Sequence, residues 1–252
     1  MTEYVIHRWL TRKTANIGRH TLVLMSEMDG ARSGILHDLR TTVRNHYVDP
    51  ELTARRLAAL GAPKTAELLR GHLPTTKKAR SGDLGEILAT EVAEQQLHFN
   101  VPVRRLRWKD GRNMALRGDD VVGLAREKNN KLVFLKGESK SRAALSAAVL
   151  DEAGAALDTD RGRPTRHSVL FVAERLREQN EDDLAQELEE AVLQSFKAMR
   201  VEHMLFALTG SNPTNLLTDH LKAHAKKLHL RYAVGVRIED HGKFIEDLFG
   251  GL

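Results

Sequence analysis

Residues 131–140 read Lys-Leu-Val-Phe-Leu-Lys-Gly-Glu-Ser-Lys. Four consecutive apolar residues, Leu132 to Leu135, form a short β-prone run suited to a strand buried in the middle of a sheet. The run ends in Gly137, Glu138, Ser139 and Lys140. Two residues apart on a strand, Glu138 and Lys140 project to the same face. A carboxylate and an ammonium side by side at the end of a buried strand are costly unless they pair or bind something. Read alone, the segment fits a solvated ion pair as well as it fits a site.

The chain around it has 252 residues, enough for one sizeable core with a small helical extension. It is 41% hydrophobic and 29% charged, as soluble globular proteins are. It has no cysteine, which excludes disulfides and cysteine-ligated zinc and fits a reducing cytoplasm. The opening MTEYVIHRWL has charges among its apolar residues and does not read as a signal peptide, and no apolar run is long enough to span a membrane. A net charge of +5 mildly favours a polyanionic partner.

Working outward, the front third reads as mainly helical. A strand is expected over residues 3–10 and an apolar piece at 22–25. The spacing of Ile35, Leu36, Leu39 and Val43 predicts a helix to Tyr47. Asp49-Pro50 is an N-cap followed by a first-turn proline, opening a helix that stops at Gly61. A shorter helix is expected over 64–72. The polar, basic segment 75–80 marks a boundary between a region 1–75, a candidate partner-docking surface, and a main domain 76–252. A helix over 83–97 follows, in which Asp83-x-x-Glu86 fits an acidic capping box. Strands are expected over 101–108, where apolar residues alternate with arginines, over 114–124, at the opening stretch, and at 168–173, 204–208 and 232–238. Helices are expected over 141–158, 180–200 and 215–228. The acids crowding 181–190 read as solvated charge at a helix start, and His220 with His224 as a surface pair.

From residue 83 to 173 the expected order is helix, strand, strand, strand, helix, strand. An acidic pair, Asp119-Asp120, opens the second strand, and Glu138-Ser-Lys140 ends the third. The acid-x-Lys spelling has little value by itself. Thirty-four acids and fourteen lysines among 252 residues lead one to expect about two chance matches. The chain has one, at the end of its most apolar strand and 18 residues after Asp120.

That order and placement resembles the PD-(D/E)xK, or restriction-endonuclease-like, nuclease superfamily. The resemblance implies an α/β fold with a mixed central sheet flanked by helices, here with a mainly helical N-terminal extension. Gly85-Glu86, Arg117-Gly118-Asp119-Asp120 and Gly137-Glu138-Ser139-Lys140 narrow it to the nuclease subunit family, HamA, of Hachiman anti-phage defence systems. These motifs span residues 85–140. The remainder is similar in length and general character.

The resemblance implies a Mg²⁺-dependent DNA nuclease of little sequence preference, with Mn²⁺ as a substitute. It also implies a superfamily 2 helicase partner that restrains and releases it, and no membrane association. Magnesium prefers oxygen ligands and keeps several waters, so Asp120 and Glu138 with a backbone carbonyl near Ser139 would suffice to hold it against a phosphate. Lys140 would orient the attacking water or stabilise developing charge. Glu86 matches an auxiliary glutamate of many members. Asp120 precedes Val121-Val122-Gly123, an acid-then-apolar pattern that favours it over Asp119 as the ligand. Lys77, Lys78, Arg80, Arg104, Arg105, Arg107 and Arg112 are candidates for gripping DNA phosphates. A Gln-x-x-x-Tyr pattern after Lys140 is missing, which weakens any analogy to exonucleases that thread a DNA end. A non-catalytic adaptor for a helicase and a nuclease acting on RNA are the rival readings.

Overall fold

The structure, a computed structural model, describes residues 4–197 and 199–252. In chain order it has α1 (Val5–Trp9), β1 (Leu10–Ile17), β2 (His20–Glu27), α2 (Ala31–Tyr47), α3 (Pro50–Leu60), α4 (Ala62–His72) and α5 (Lys77–Gln95). There follow β3 (Val121–Arg126), β4 (Leu132–Arg142), α6 (Ala147–Asp158), α7 (Arg166–Glu178), α8 (Asp182–Leu193), β5 (Arg200–Thr209), α9 (Thr214–Ala223), β6 (Leu230–Arg237) and α10 (His241–Gly250). The six strands form one mixed sheet in the order β1-β2-β6-β5-β4-β3. Its four inner strands run parallel, and β1 and β3 close the two edges antiparallel. The fold is therefore α/β with helices on both faces, the class the sequence predicts.

The apolar run of the opening stretch is the first half of β4, and its alternation is what divides the core. Leu132 and Phe134 face α7 and α8, packing with Val169, Val172 and Leu188. Val133 and Leu135 face the other way, onto Leu84, Leu88 and Val92 of α5. Fully burying each of these Leu, Val and Phe side chains contributes about 1.5–3 kcal/mol, which fixes the register on both faces at once. A third apolar cluster joins Leu205 and Ala207 of β5 to Leu150 and Leu157 of α6 and Leu217 and Leu221 of α9. The front third shares this sheet. Its hairpin β1–β2 pairs with β6, and Val23 and Met25 join the cluster under α5.

Several expectations change. The strand expected over 3–10 is largely helix α1, with residue 3 outside the described residues. Val5, Ile6 and Trp9 share the buried side of that turn, and Trp9 stacks on Phe244 at 5.4 Å. Helix α5 begins six residues before Asp83, capped by Thr76, whose hydroxyl accepts from the Ala79 N–H at 3.2 Å. Asp83 is thus buried mid-helix, and Asp83-x-x-Glu86 is not a capping box.

Residues 101–108 form no strand. They are irregular, with a 3₁₀ turn at Arg105–Trp108. The strand expected over 114–124 begins only at Val121, and β4 runs on to Arg142, so α6 starts late, at the Ser146 cap. Residues 168–173 lie in helix α7, capped by Thr165. The helix expected over 180–200 stops at Leu193. Ser195 and Phe196 adopt positive φ there, which turns the Phe196 ring edge-on to Phe134 at 5.3 Å; residue 198 lies outside the described residues. His220 is buried rather than on the surface. Among the described residues no helix is long and apolar enough to cross a membrane.

Candidate active site

Gly137 sits opposite Val121 in the antiparallel β3–β4 pair. A Cβ at Gly137 would lie 2.7 Å from the Val121 Cβ, so glycine is what lets the strands approach there. Asp120, one residue before β3, is thereby held beside the end of β4, where its Oδ2 accepts from the Ser139 N–H at 2.9 Å. Beyond Gly137 the strand β4 has lost β3 as a partner but stays paired with β5 as far as Arg142. Lys140 Nζ lies 3.0 Å from Glu138 Oε1, as the spacing on one strand face predicts, and 2.8 Å from Glu152 Oε1 on α6.

Glu86 arrives from the other side of the sheet, on α5. The preceding Gly85 is the contact point. A Cβ there would stand 2.8 Å from Ser139 Oγ and 3.3 Å from Ser141 Cβ. Without one, the helix lies against β4 and delivers Glu86 close enough to Asp120 for their charges to repel. The half-buried Glu86 carboxyl is pushed up to about 8, by burial first and Asp120 next. Glu138 is raised to about 7 by burial and by Asp120, against the opposing pull of Lys140. Asp120 is raised by burial, against the Ser139 N–H, Arg105 and Lys140. Burial works against the charge of Lys140, but its hydrogen bonds to Glu152 and Glu138 win and raise its pKa. An aspartate that raises two neighbouring glutamates, with a lysine at their edge, is an arrangement whose repulsion a cation would relieve.

Asp119 faces elsewhere. Its Oδ2 accepts from the Thr165 N–H at 2.7 Å and its Oδ1 lies 3.5 Å from Nζ of the buried Lys136, which also donates to Thr159 Oγ1 at 2.9 Å. It pins the start of α7 to the sheet. The structure thus brings Glu86, Asp120, Glu138 and Lys140 together and directs Asp119 away from them.

The donor set is all oxygen, which suits a hard cation such as magnesium. Among the described residues no three His, Asp or Glu side chains are gathered tightly enough to hold a metal by themselves. Asp120 and Glu138 would therefore need water, backbone and substrate oxygens to complete a shell, which is the way magnesium is ordinarily held. Ser139 Oγ, buried and without a partner, is a further oxygen at this junction.

The basic candidates divide. Arg104 is bound by Glu94 at 2.6 Å, and Arg107 by Asp49 at 2.7 Å. Arg105 is buried, donating to the backbone carbonyls of Arg117 and Asp119, where its charge also eases the burden on Glu86 and Asp120. These three arginines are committed inside the molecule and are not placed to grip DNA. Arg112 is exposed on a loop that Lys109 ties down through the Arg112 carbonyl. Lys77, Lys78 and Arg80 line a groove of about 900 Å³ that also contains Glu86. Sequence reasoning missed Glu152, the second partner of Lys140, and Arg142 and Lys243, which share that groove. Only the position of Glu152 on the helix after the motif hinted at its part.

The sequence matches the HamA family over residues 2–252. A relative from Bacillus cereus, described as "Hachiman protein HamA", is 30% identical over 113 residues, which make up 45% of this chain and 39% of the relative. The aligned stretch therefore spans well under half of that protein. With the family matched along all but the first residue, the chain belongs to the HamA family.

Proposed function

We propose that the chain is a Mg²⁺-dependent DNA nuclease of the PD-(D/E)xK type and the effector subunit of a Hachiman anti-phage complex held in check by a helicase. One observation carries the reading: Asp120 lies near both Glu86 and Glu138, residues distant in sequence, and raises the pKa of each, with Lys140 paired to Glu138 beside them. Family membership and the name of the Bacillus cereus relative support the defence setting. In this reading Asp120 and Glu138 hold the cation. When bound, it supplies Lewis-acid polarisation of a phosphate oxygen and lowers the pKa of a water. Glu86 stands beside the metal ligands, its raised carboxyl able to exchange a proton near neutral pH. Lys140, oriented between Glu138 and Glu152, offers a fixed positive charge to the phosphate as negative charge develops. Region 1–75 is proposed as the partner-docking part of the molecule and 76–252 as the nuclease part.

Plasmid degradation in Mg²⁺ tests this, comparing the wild type with Glu138→Ala and Lys140→Ala, each with and without the helicase. The expected outcome is cleavage by the wild type alone, lost in both variants. Equal cleavage by all three would remove the site. A second reading, a non-catalytic adaptor, is favoured by the two carboxylates that already occupy Lys140. Absence of cleavage by every protein under activating conditions would promote it.

A further inference from the structure

The groove of about 900 Å³ runs from Glu86 between the start of α5, the end of β4 and the start of α10. Its floor is tied by a hydrogen-bond chain across three elements. Ser81 Oγ meets Ser141 Oγ at 2.8 Å, and Ser141 Oγ meets His241 Nε2 at 2.9 Å. A groove braced this way is preformed rather than opened by its ligand.

Its charges are uneven. Lys77, Lys78, Arg80 and Arg142 line it, and none of them pairs with an acid among the described residues. Three acids also line it. Asp83 is consumed by Lys109 at 2.8 Å and by the Tyr47 hydroxyl at 2.6 Å, Glu86 belongs to the carboxylate cluster, and Glu246 remains. Four cations without an acidic partner, in a groove that reaches Glu86, are suited to a chain of phosphates whose next member approaches the candidate site.

Size selects the form of that chain. Sites of roughly 300–1,000 Å³ enclose one drug-sized molecule, so this groove takes a few nucleotides of one strand. Apolar Met114 and Ile245 offer surface to sugars and bases, while the lining has no Phe, Tyr or Trp on which bases could stack. Binding through phosphates without stacking carries little sequence preference.

We infer that this groove is a single-strand DNA channel, in which Lys77, Lys78, Arg80 and Arg142 hold backbone phosphates and lead one strand to the carboxylates. The inference rests on the nuclease reading for its substrate. Binding is measured apart from cleavage, by fluorescence anisotropy of the full chain in EDTA with a labelled oligothymidylate and with a blunt duplex of equal length. The variant is Lys78→Glu with Arg142→Glu, both exposed and outside the carboxylate cluster. The control is Lys226→Glu, exposed beyond α9, near the opposite end of the parallel strands.

The single strand is expected to bind more tightly than the duplex. The double variant should bind it roughly tenfold more weakly, with the slope of log affinity against log salt flattened by about 1.4, or about 0.7 for each lost phosphate contact. The control should match the wild type. Unchanged affinity and slope in the double variant, or duplex binding as tight and as sensitive, would overturn the channel. A chain that binds strands in this way yet never cuts plasmid would remove the nuclease reading and leave the channel standing.

Discussion

Acidifying the protein from pH 7 to pH 5 should cost it stability through its buried histidines, above all His203 and His220, both held down to about 3 by burial first. Arg231, itself almost wholly buried, is ringed by imidazole nitrogens rather than carboxylates. Its guanidinium donates to His220 Nε2 at 3.0 Å and to His203 Nδ1 at 3.1 Å, and its backbone N–H donates to His20 Nδ1 at 3.1 Å. Asp158 is its one acidic partner, at 2.8 Å. Each of those ring nitrogens must stay unprotonated to accept. His220 faces His224, His20, Arg231 and Asp158, and burial followed by His224 and Arg231 lowers its pKa to about 3. In the unfolded chain it titrates at about 6.5. The folded state therefore binds fewer protons than the unfolded one between these values, and stability falls as pH drops below about 6.5. Integrated from pH 7 to 5, the loss through His220 alone is about 2 kcal/mol. The figure depends little on how far below pH 5 the folded group titrates.

Glu86 and Glu138, with raised pKa values, act in the opposite sense and gain stability as pH falls toward the unfolded carboxylate range. The clean measurement is thus a difference. Wild type and His220→Gln, whose amide oxygen can still accept from Arg231, are unfolded in urea at both pH values and followed by the fluorescence of Trp9 and Trp108. The stability gap should move by about 2 kcal/mol in favour of the variant on acidification. A gap constant to within about 0.5 kcal/mol would refute the neutral-imidazole ring.

Two further substitutions separate scaffold from chemistry. Asp119→Ala should lower stability by about 3 kcal/mol, because it leaves the buried Lys136 ammonium without its carboxylate, while Asp120→Ala should abolish cleavage per folded molecule with a smaller effect on the urea midpoint. The reverse order in specific activity would contradict the choice of Asp120. Gly85→Ala should destabilise by about 1–3 kcal/mol as its methyl meets Ser139 Oγ, and Ser139→Ala in the same chain should restore part of that loss. Additive effects in the double-mutant cycle would show that α5 and β4 do not meet there.

Much of the scaffold was legible because single residues announce it. Asp49 caps α3 through the Glu51 and Leu52 N–H groups, as its place before Pro50 predicts. The apolar runs of β4, β5 and β6 lie in the sheet interior, where burial on both faces leaves no other use for them. Elsewhere the same patterns had two solutions. The alternation over 101–108 mimics a strand, yet its arginines alternate because they answer to Glu94, to Asp49 and to two loop carbonyls. Ser168–Ala173 is apolar enough for a strand but follows Thr165, whose hydroxyl accepts from the Ser168 N–H and opens a helix. Edge strand β1 is polar and exposed along most of its length and so carried no hydrophobic signal.

The candidate site was legible for a different reason. Its residues are specified by the glycines beside them as much as by their own chemistry. Gly137 admits Val121, which sets the β3–β4 register and brings Asp120 to the end of β4. Gly85 admits the Ser139 and Ser141 side of β4, which brings Glu86 to Asp120. A chance acid-x-Lys at a strand end has no such neighbours and needs none, since a solvated ion pair tolerates a looser fit. Two close approaches of backbone, one placing Asp120 and the other Glu86, are more than an ion pair alone requires. They suit a candidate site in which carboxylates from two strands hold one cation and a helix glutamate stands beside them.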